Sequence, residues 1–246
     1  MTNISFLFFY IIFVLMSNKC ESCIVRKFTG LQVLTKEQLK DVSEGKTTHT
    51  FKKGDVIFDE GEHLKGIYCV RYGIAKLSKL STNGKDQIIK FVSDGEVLGQ
   101  RSVIAKEPAN LKAIAINDMD SCFIPKKLIL NNLQINASFS LDLLQNLAHE
   151  LKEADDVIVN ISQKPVKNRI AETLLHLKES FGVDQEGFMV IQLSREDISN
   201  IVGTATESCI RMLSELKKEG FIETSGKRIK ITNKIALQKL AEGIQS

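Results

Sequence analysis

The clearest chemistry in this chain is carried by Leu193 to Asn233, LSREDISNIVGTATESCIRMLSELKKEGFIETSGKRIKITN. Glu207 and Arg211 are four residues apart, which on a helix sets both on one face. A guanidinium offers two parallel donors to guanine O6 and N7, and a carboxylate accepts from cytosine N4, so the pair has the chemistry of base reading in a major groove. Ser208 can reach a base or a phosphate, Thr206 shares the outward face, and Thr204 beside a helix N-terminus suits a phosphate. The plainer alternative is a solvated ion pair between Glu207 and Arg211. Lys227, Arg228 and Lys230 fall near an expected hairpin tip, with Lys217 and Lys218 on the adjoining helix end, where local charge can meet a nucleic-acid backbone. Any one of these lysines read alone is solvated surface.

The surrounding pattern supplies elements to position these residues. Ser194 is placed to cap a short helix, with Asp197 completing a capping-box exchange, and Ile198, Ile201 and Val202 form its inner face. Gly203 permits a tight turn, and Thr204 or Thr206 caps a second helix whose Cys209, Met212, Leu213 and Leu216 point inward. Two short helices joined at a glycine turn form a helix-turn-helix. Gly220 ends the second helix, and the sequence through Ser225-Gly226 to Ile231 reads as a hairpin wing. Upstream, Pro165 opens a helix with Val166, Ile170, Leu174, Leu175 and Leu177 inside, closed at Phe181-Gly182. Before it Phe139, Leu143, Leu144, Leu147, Leu151, Ala154, Val157, Ile158 and Ile161 recur three and four apart, a stripe along one long helix. That stripe reads as half of a dimer seam, with packing inside one chain as the alternative. From Phe51 to Pro125 short apolar runs (Val56 to Phe58, Ile67 to Val70, Ile74 to Leu80, Ile88 to Val92) are cut by Gly54, Gly61, Gly73, Gly84 and Gly95. Asn83-Gly84 is a hairpin signal, and a small antiparallel barrel or jelly roll follows.

The 246 residues suffice for one large or two small domains. A composition of 43% hydrophobic and 26% charged residues excludes both a disordered tail and a polytopic membrane protein. A net charge of +3 favours no partner by bulk attraction. The cysteines, at 20, 23, 69, 122 and 209, are odd in number and widely spread, which points to a reducing cytoplasm and away from a disulfide scaffold. His49, His63, His149 and His176 show no metal-protease or acyl-transfer spacing, so no enzyme is expected. Ile4 to Met16 is apolar but shorter than a membrane span, which takes about 20 residues. It has no basic leader and no small-residue cleavage site, so no membrane is expected as a partner. Residues 1–16 form an apolar extension in which Met16 is expected to be the biological start and the stretch preceding it to lie outside the native protein; a membrane-associating segment is the alternative.

Three stretches carry a resemblance to the catabolite activator and fumarate–nitrate regulator (Crp/Fnr) superfamily of bacterial transcription factors: GTATESCIRMLSELKKEGFI, PVKNRIAETLLHL, and FKKGDVIFDEGE through GQRS. The resemblance implies an α+β chain with an N-terminal cyclic-nucleotide-binding-type β-roll (17–130), a long dimerisation helix (131–162) and a C-terminal winged helix-turn-helix (163–246). It implies a homodimeric, cytoplasmic activator that reads a palindromic double-stranded promoter site with RNA polymerase as partner, controlled by a signal sensed in the roll. Glu207 and Arg211 stand where family members read base edges; Ile210 stands where the oxygen-sensing branch often has Ser, so an identical operator is not expected. In cyclic-AMP-binding members a Gly-Glu pair is followed, after a short helix, by Arg-Ser or Arg-Thr. Here Gly99, Gln100, Arg101, Ser102 and later Leu111-Lys112 form a degenerate nucleotide pocket: Gln100 replaces the Glu, Leu111-Lys112 replaces the Arg-containing pair, and Lys112 lacks a bidentate fork. Cyclic AMP is thus disfavoured. Cys20, Cys23 and Cys122 resemble three of the four iron–sulfur ligands of oxygen-sensing members; the third N-terminal cysteine is absent, and Cys69 is a candidate fourth thiol. An iron–sulfur cluster, another soft metal, a thiol switch and a purely structural role all stay open, as does an alternative function as a nucleotide-binding regulatory subunit acting on a partner protein.

Overall fold

The computed structural model describes Cys20, Cys23, residues 30–81 and residues 84–243. The expectations for residues 1–16 and for Asn83 lie outside these. The chain divides into two units, one joining residues up to Lys79 with Ile89–His149, the other joining Leu80–Ile88 with Glu150 onward.

In the first unit Thr35 starts helix α1 (Lys36–Gly45). Its hydroxyl accepts from Gln38 N–H at 3.3 Å while the Gln38 side chain accepts from Thr35 N–H at 2.9 Å, a reciprocal capping box. The strands that follow are β1 (Thr47–Phe51), β2 (Val56–Phe58), β3 (Gly66–Tyr72), β4 (Ala75–Leu80), β5 (Asp86–Val92), β6 (Val97–Leu98), β7 (Lys112–Ala115) and β8 (Met119–Pro125), with the short helix α2 (Gln100–Ala105) between β6 and β7. They form two four-stranded sheets, ordered β1-β8-β3-β6 and β2-β7-β4-β5. This is the expected roll. Strict alternation of burial fails on β3 and β8 because α1 and helix α3 (Lys126–Ile135) pack on the sheet's outer face, so both faces are covered. Val70, Val92, Leu98, Ala113 and Ile124 are completely buried in the core of the roll. Gly73 is obligatory twice over: its φ is +99°, and a Cβ there would lie 2.6 Å from the Asp118 carbonyl oxygen.

The single helix expected from residue 131 is interrupted. Helix α3 ends at Ile135, Asn136 is extended (φ −122°, ψ 98°), and α4 (Ala137–Gln163) starts afresh. The reason is the Asn136 side chain, whose Oδ1 accepts from Phe139 N–H at 3.0 Å while its Nδ2 donates to Val33 O and Gln38 Oε1 at 3.2 and 2.8 Å. Asn is a strong helix N-cap, and here it re-aims the chain. Phe139 is buried, whereas Leu141, Leu144, Leu151 and Ile158 of α4 are each more than half exposed.

In the second unit α5 (Val166–Phe181) begins directly after Pro165 and stops at Gly182, φ +70°, as the sequence predicts. Ile170, Ala171, Leu174 and Leu177 form its buried face; Val166 and Leu175, expected inside, are only partly covered. Then come α6 (Arg195–Val202), α7 (Thr206–Lys218), β9 (Ile222–Ser225), β10 (Arg228–Ile231) and α8 (Lys234–Ala241), the last packed along α5. Cys209, Leu216 and Leu237 are fully enclosed in this second core.

Candidate nucleic-acid interface

The site begins at a well-capped helix start. Ser194 Oγ accepts from Asp197 N–H at 2.9 Å and donates to Asp197 Oδ2 at 2.6 Å, while that carboxylate accepts from Ser194 N–H at 3.2 Å. This reciprocal cap satisfies amides that α6 would otherwise leave bare. Gly203 ends α6 in the left-handed region (φ +69°, ψ 53°), and Thr204 N–H donates back to Ser199 O at 3.1 Å. Neither threonine caps α7: Ala205 holds the cap position without a side-chain bond. Thr206 is instead the first helical residue, and its hydroxyl meets that of Ser199 at 3.1 Å, tying the two helices together. Ser199 is buried and its hydroxyl already donates to Glu196 O at 2.8 Å, so the contact with Thr206 gives that oxygen a second partner.

On α7 the inner residues Cys209, Leu213 and Leu216 are buried, while Met212 and, on α6, Ile201 are only half-covered. Burial pushes the Cys209 thiol up to about 11, against the opposing charge of Arg195. Glu207 and Arg211 are both exposed, one turn apart, near the N-terminal end of the helix, and no ion pair joins them. Ser208 is half-buried beside them, and Ile210 is exposed.

The wing is a two-stranded hairpin in which Arg228 pairs with Ser225 and Ile231 with Ile222, leaving Gly226 (φ +58°) and Lys227 as the two-residue turn. Lys227 is exposed. Arg228 is not: its Nη2 lies 2.7 Å from both Asp184 Oδ2 and Glu186 Oε2, and its guanidinium sits 4.2 Å from the Phe188 ring centre. The Arg228 guanidinium holds the Asp184 carboxyl below the usual carboxylate range, and the two carboxylates hold Arg228 up. Lys230 is half-covered, its stem running beside Gly187. Arg195, the first residue of α6, donates from Nη2 to Gly226 O at 3.0 Å. The spacing of α6 and the wing gives no hint of this tie, although Asp184-Gln185-Glu186-Gly187 has the residue types of a turn.

In the first unit Cys20, Cys69 and Cys122 are buried in one apolar core with Cys23 packed against it, all as free thiols. Cys69 stands opposite Cys122 in the β3–β8 register. Burial pushes the Cys69 thiol up to about 12 and also raises Cys20. The Lys46 side chain is hydrogen-bonded to Cys20; burial pulls its ammonium down, but Cys122 and Cys20 outweigh that. Among the described residues no group of three or more His, Cys, Asp and Glu is arranged to hold a metal ion. Around the nucleotide-like segment Gly99 (φ +84°) precedes α2, Gln100 is half-covered, Ser102 is buried and Arg101 is exposed. The Lys112 ammonium is paired to Asp59 at 2.8 Å, and Leu111 belongs to the core. Among the described residues no helix is long and apolar enough to cross a membrane.

A roll, a long helix with an exposed apolar stripe, and a winged helix-turn-helix define a transcription regulator of the helix-turn-helix class. Residues 48–136 match the cyclic nucleotide-binding domain model and residues 168–240 the Crp-like helix-turn-helix domain model. The chain belongs to the Crp/Fnr superfamily, whose members are transcription regulators and not enzymes. It is 28% identical over 209 residues to electron transport regulator A of Shewanella oneidensis, covering 83% of this chain and 82% of that protein. The fumarate and nitrate reduction regulatory protein of Escherichia coli is 27% identical over 209 residues, with the same coverage of 83% and 82%. The structure of FixK2 from Bradyrhizobium japonicum superposes with a TM-score of 0.71 at 28% identity, covering 79% of this chain and 96% of that one.

Proposed function

We propose that the chain is a cytoplasmic homodimer that activates transcription by reading a two-fold symmetric promoter site, with RNA polymerase as its partner there. Glu207, Ser208 and Arg211 read base edges, and Thr204, Thr206, Lys227 and Lys230 meet the phosphate backbone. The observation that carries the reading is the pair of exposed, mutually unpaired side chains at Glu207 and Arg211 on the opening turns of α7. The exposed stripe Leu144, Leu151 and Ile158 along α4 supports the dimer, because large apolar side chains at this spacing are covered by a second helix in the coiled-coil manner.

Signal sensing is assigned to the roll unit. Cyclic AMP remains disfavoured: Gln100 stands in place of the expected Glu, and Lys112 is engaged by Asp59. Two relatives carry names of redox physiology, electron transport regulation and fumarate and nitrate reduction, which favours a redox-linked signal. The second reading, a regulatory subunit that binds a nucleotide and controls a partner protein, is weakened by the same Lys112–Asp59 pair. Capture of sheared genomic DNA on the purified protein, followed by sequencing, tests the proposal. Enrichment of one inverted repeat is the expected result; recovery without any motif overturns it.

A further inference from the structure

The turn between α5 and α6 is built to hold something. Asp184 Oδ1 accepts from the N–H groups of Glu186 and Phe188 at 2.9 and 3.0 Å, and Asp184 N–H donates to Phe188 O at 2.8 Å. Gly187 closes the turn with its N–H on Asp184 O at 3.0 Å. Its φ of +81° is one that a side chain resists. Val183 and Met189 then form a bridge, and Met189 N–H donates to Ile229 O of β10 at 2.9 Å. The turn is thereby fastened by its backbone to the wing. Its second carboxylate oxygen, Asp184 Oδ2, and Glu186 Oε2 converge on one nitrogen of Arg228, above the face of Phe188. Arg195 grips the same hairpin at the Gly226 carbonyl.

We infer that Arg228 is a positioning residue, clamped by Asp184 and Glu186 to set the height of the wing, and that the cation presented to a DNA phosphate at the wing turn is Lys227 and not its neighbour Arg228. Three facts carry this. A guanidinium held between two carboxylates belongs to a trio of net negative charge, which repels a phosphate. The aromatic face beneath it fixes its plane as well as its charge. The clamp and the Arg195 tie hold the hairpin at two points, while Lys227 at the turn is exposed. The inference rests on the DNA-binding reading proposed above.

The test uses the full chain and three substitutions. Arg228→Lys keeps the charge but has no planar guanidinium to lie over Phe188 while both carboxylates meet one of its nitrogens, and Arg228→Gln removes the charge altogether. Asp184→Asn keeps the Oδ1 acceptor that builds the turn and removes one of the two carboxylate charges on the clamp, leaving that of Glu186. Hydrogen exchange of the Ser225–Lys227 amides without DNA, and affinity for a duplex carrying the enriched motif over a salt series, are read for each. All three variants are expected to speed exchange at the wing turn. Arg228→Lys is expected to lower affinity by a factor of about five with an unchanged salt slope. Unchanged exchange, or wild-type affinity for Arg228→Lys beside a salt slope about one unit shallower in Arg228→Gln, overturns it, because that is the signature of a direct phosphate contact. Failure of the wild-type chain to bind any motif would instead remove the DNA-binding reading, and the exchange measurement would still decide whether the clamp holds the wing.

Discussion

Cys69 on β3 and Cys122 on β8 stand directly opposite each other, both buried, although they lie far apart in the sequence. Adjacent strands bring them together, and Cys20 and Cys23 pack into and against the same apolar core. That burial has a chemical consequence, since it is the thiolate that reacts.

At pH 8 a thiol titrating near 12 is ionised in only about one molecule in ten thousand. Iodoacetamide is therefore expected to modify the half-buried Cys23 first, and to reach Cys69 and Cys209 only when denaturant opens the cores. Peptide mapping by mass spectrometry gives the order. Labelling of Cys69 as fast as Cys23 in the native protein would contradict the enclosed strand thiol.

Arg211 and Lys227 should differ in kind. Arg211→Ala is expected to cost roughly 1–3 kcal/mol on a cognate duplex and to relax preference at one base pair, since a bidentate contact discriminates. Lys227→Ala should weaken cognate and scrambled duplexes alike and make the salt slope about one unit shallower. Titrations on both duplexes decide; equal losses for Arg211→Ala on the two would contradict base reading.

The Ser194–Asp197 box should contribute a measurable part of the second unit's stability. Ser194→Ala removes the acceptor for Asp197 N–H and is expected to cost about 1 kcal/mol in denaturant unfolding. Ser194→Thr, which keeps the oxygen, should recover most of it. A loss equal to that of alanine in the threonine variant would mean the hydroxyl is not the cause.

The Asp184–Arg228 contact sets a pH dependence with a definite sign. Arg228 depresses the folded-state Asp184 carboxyl below its unfolded value of about 3.9. Its stabilising contribution is therefore present above the unfolded value and is lost as pH falls through the folded one. Thermal unfolding of wild type and Asp184→Asn should differ at neutral pH and converge under strong acid. A difference that stays constant as the solution is taken well below the carboxylate range would show the charge to be irrelevant.

Charge placed on the exposed stripe of α4 should separate the copies. Leu151→Glu with Ile158→Glu is expected to yield a folded monomer in sedimentation, with affinity for a full inverted repeat reduced to that for a half-site. A persisting dimer would place the interface elsewhere.

Much of this was legible in the sequence because it depends on local rules. The Ser194–Asp197 cap, the Gly203 turn, the buried face Cys209–Leu213–Leu216 and the glycine-cut strands of the roll follow from helical period, capping chemistry and the few residues that tolerate positive φ. So did the outward positions of Glu207 and Arg211, which are the complement of an inner face. Folding alone settles which distant partners those side chains meet. Asn136 breaks the long helix because Val33 and Gln38, from a remote part of the chain, lie within its reach. Thr206 serves Ser199 instead of its own helix, Lys112 is engaged by Asp59, and Arg228, read as a cation for DNA, is held by a turn that precedes the whole helix-turn-helix. Charge and hydrogen-bonding capacity are written residue by residue, but their satisfaction is a matter of distance in space, and only the folded chain sets that distance.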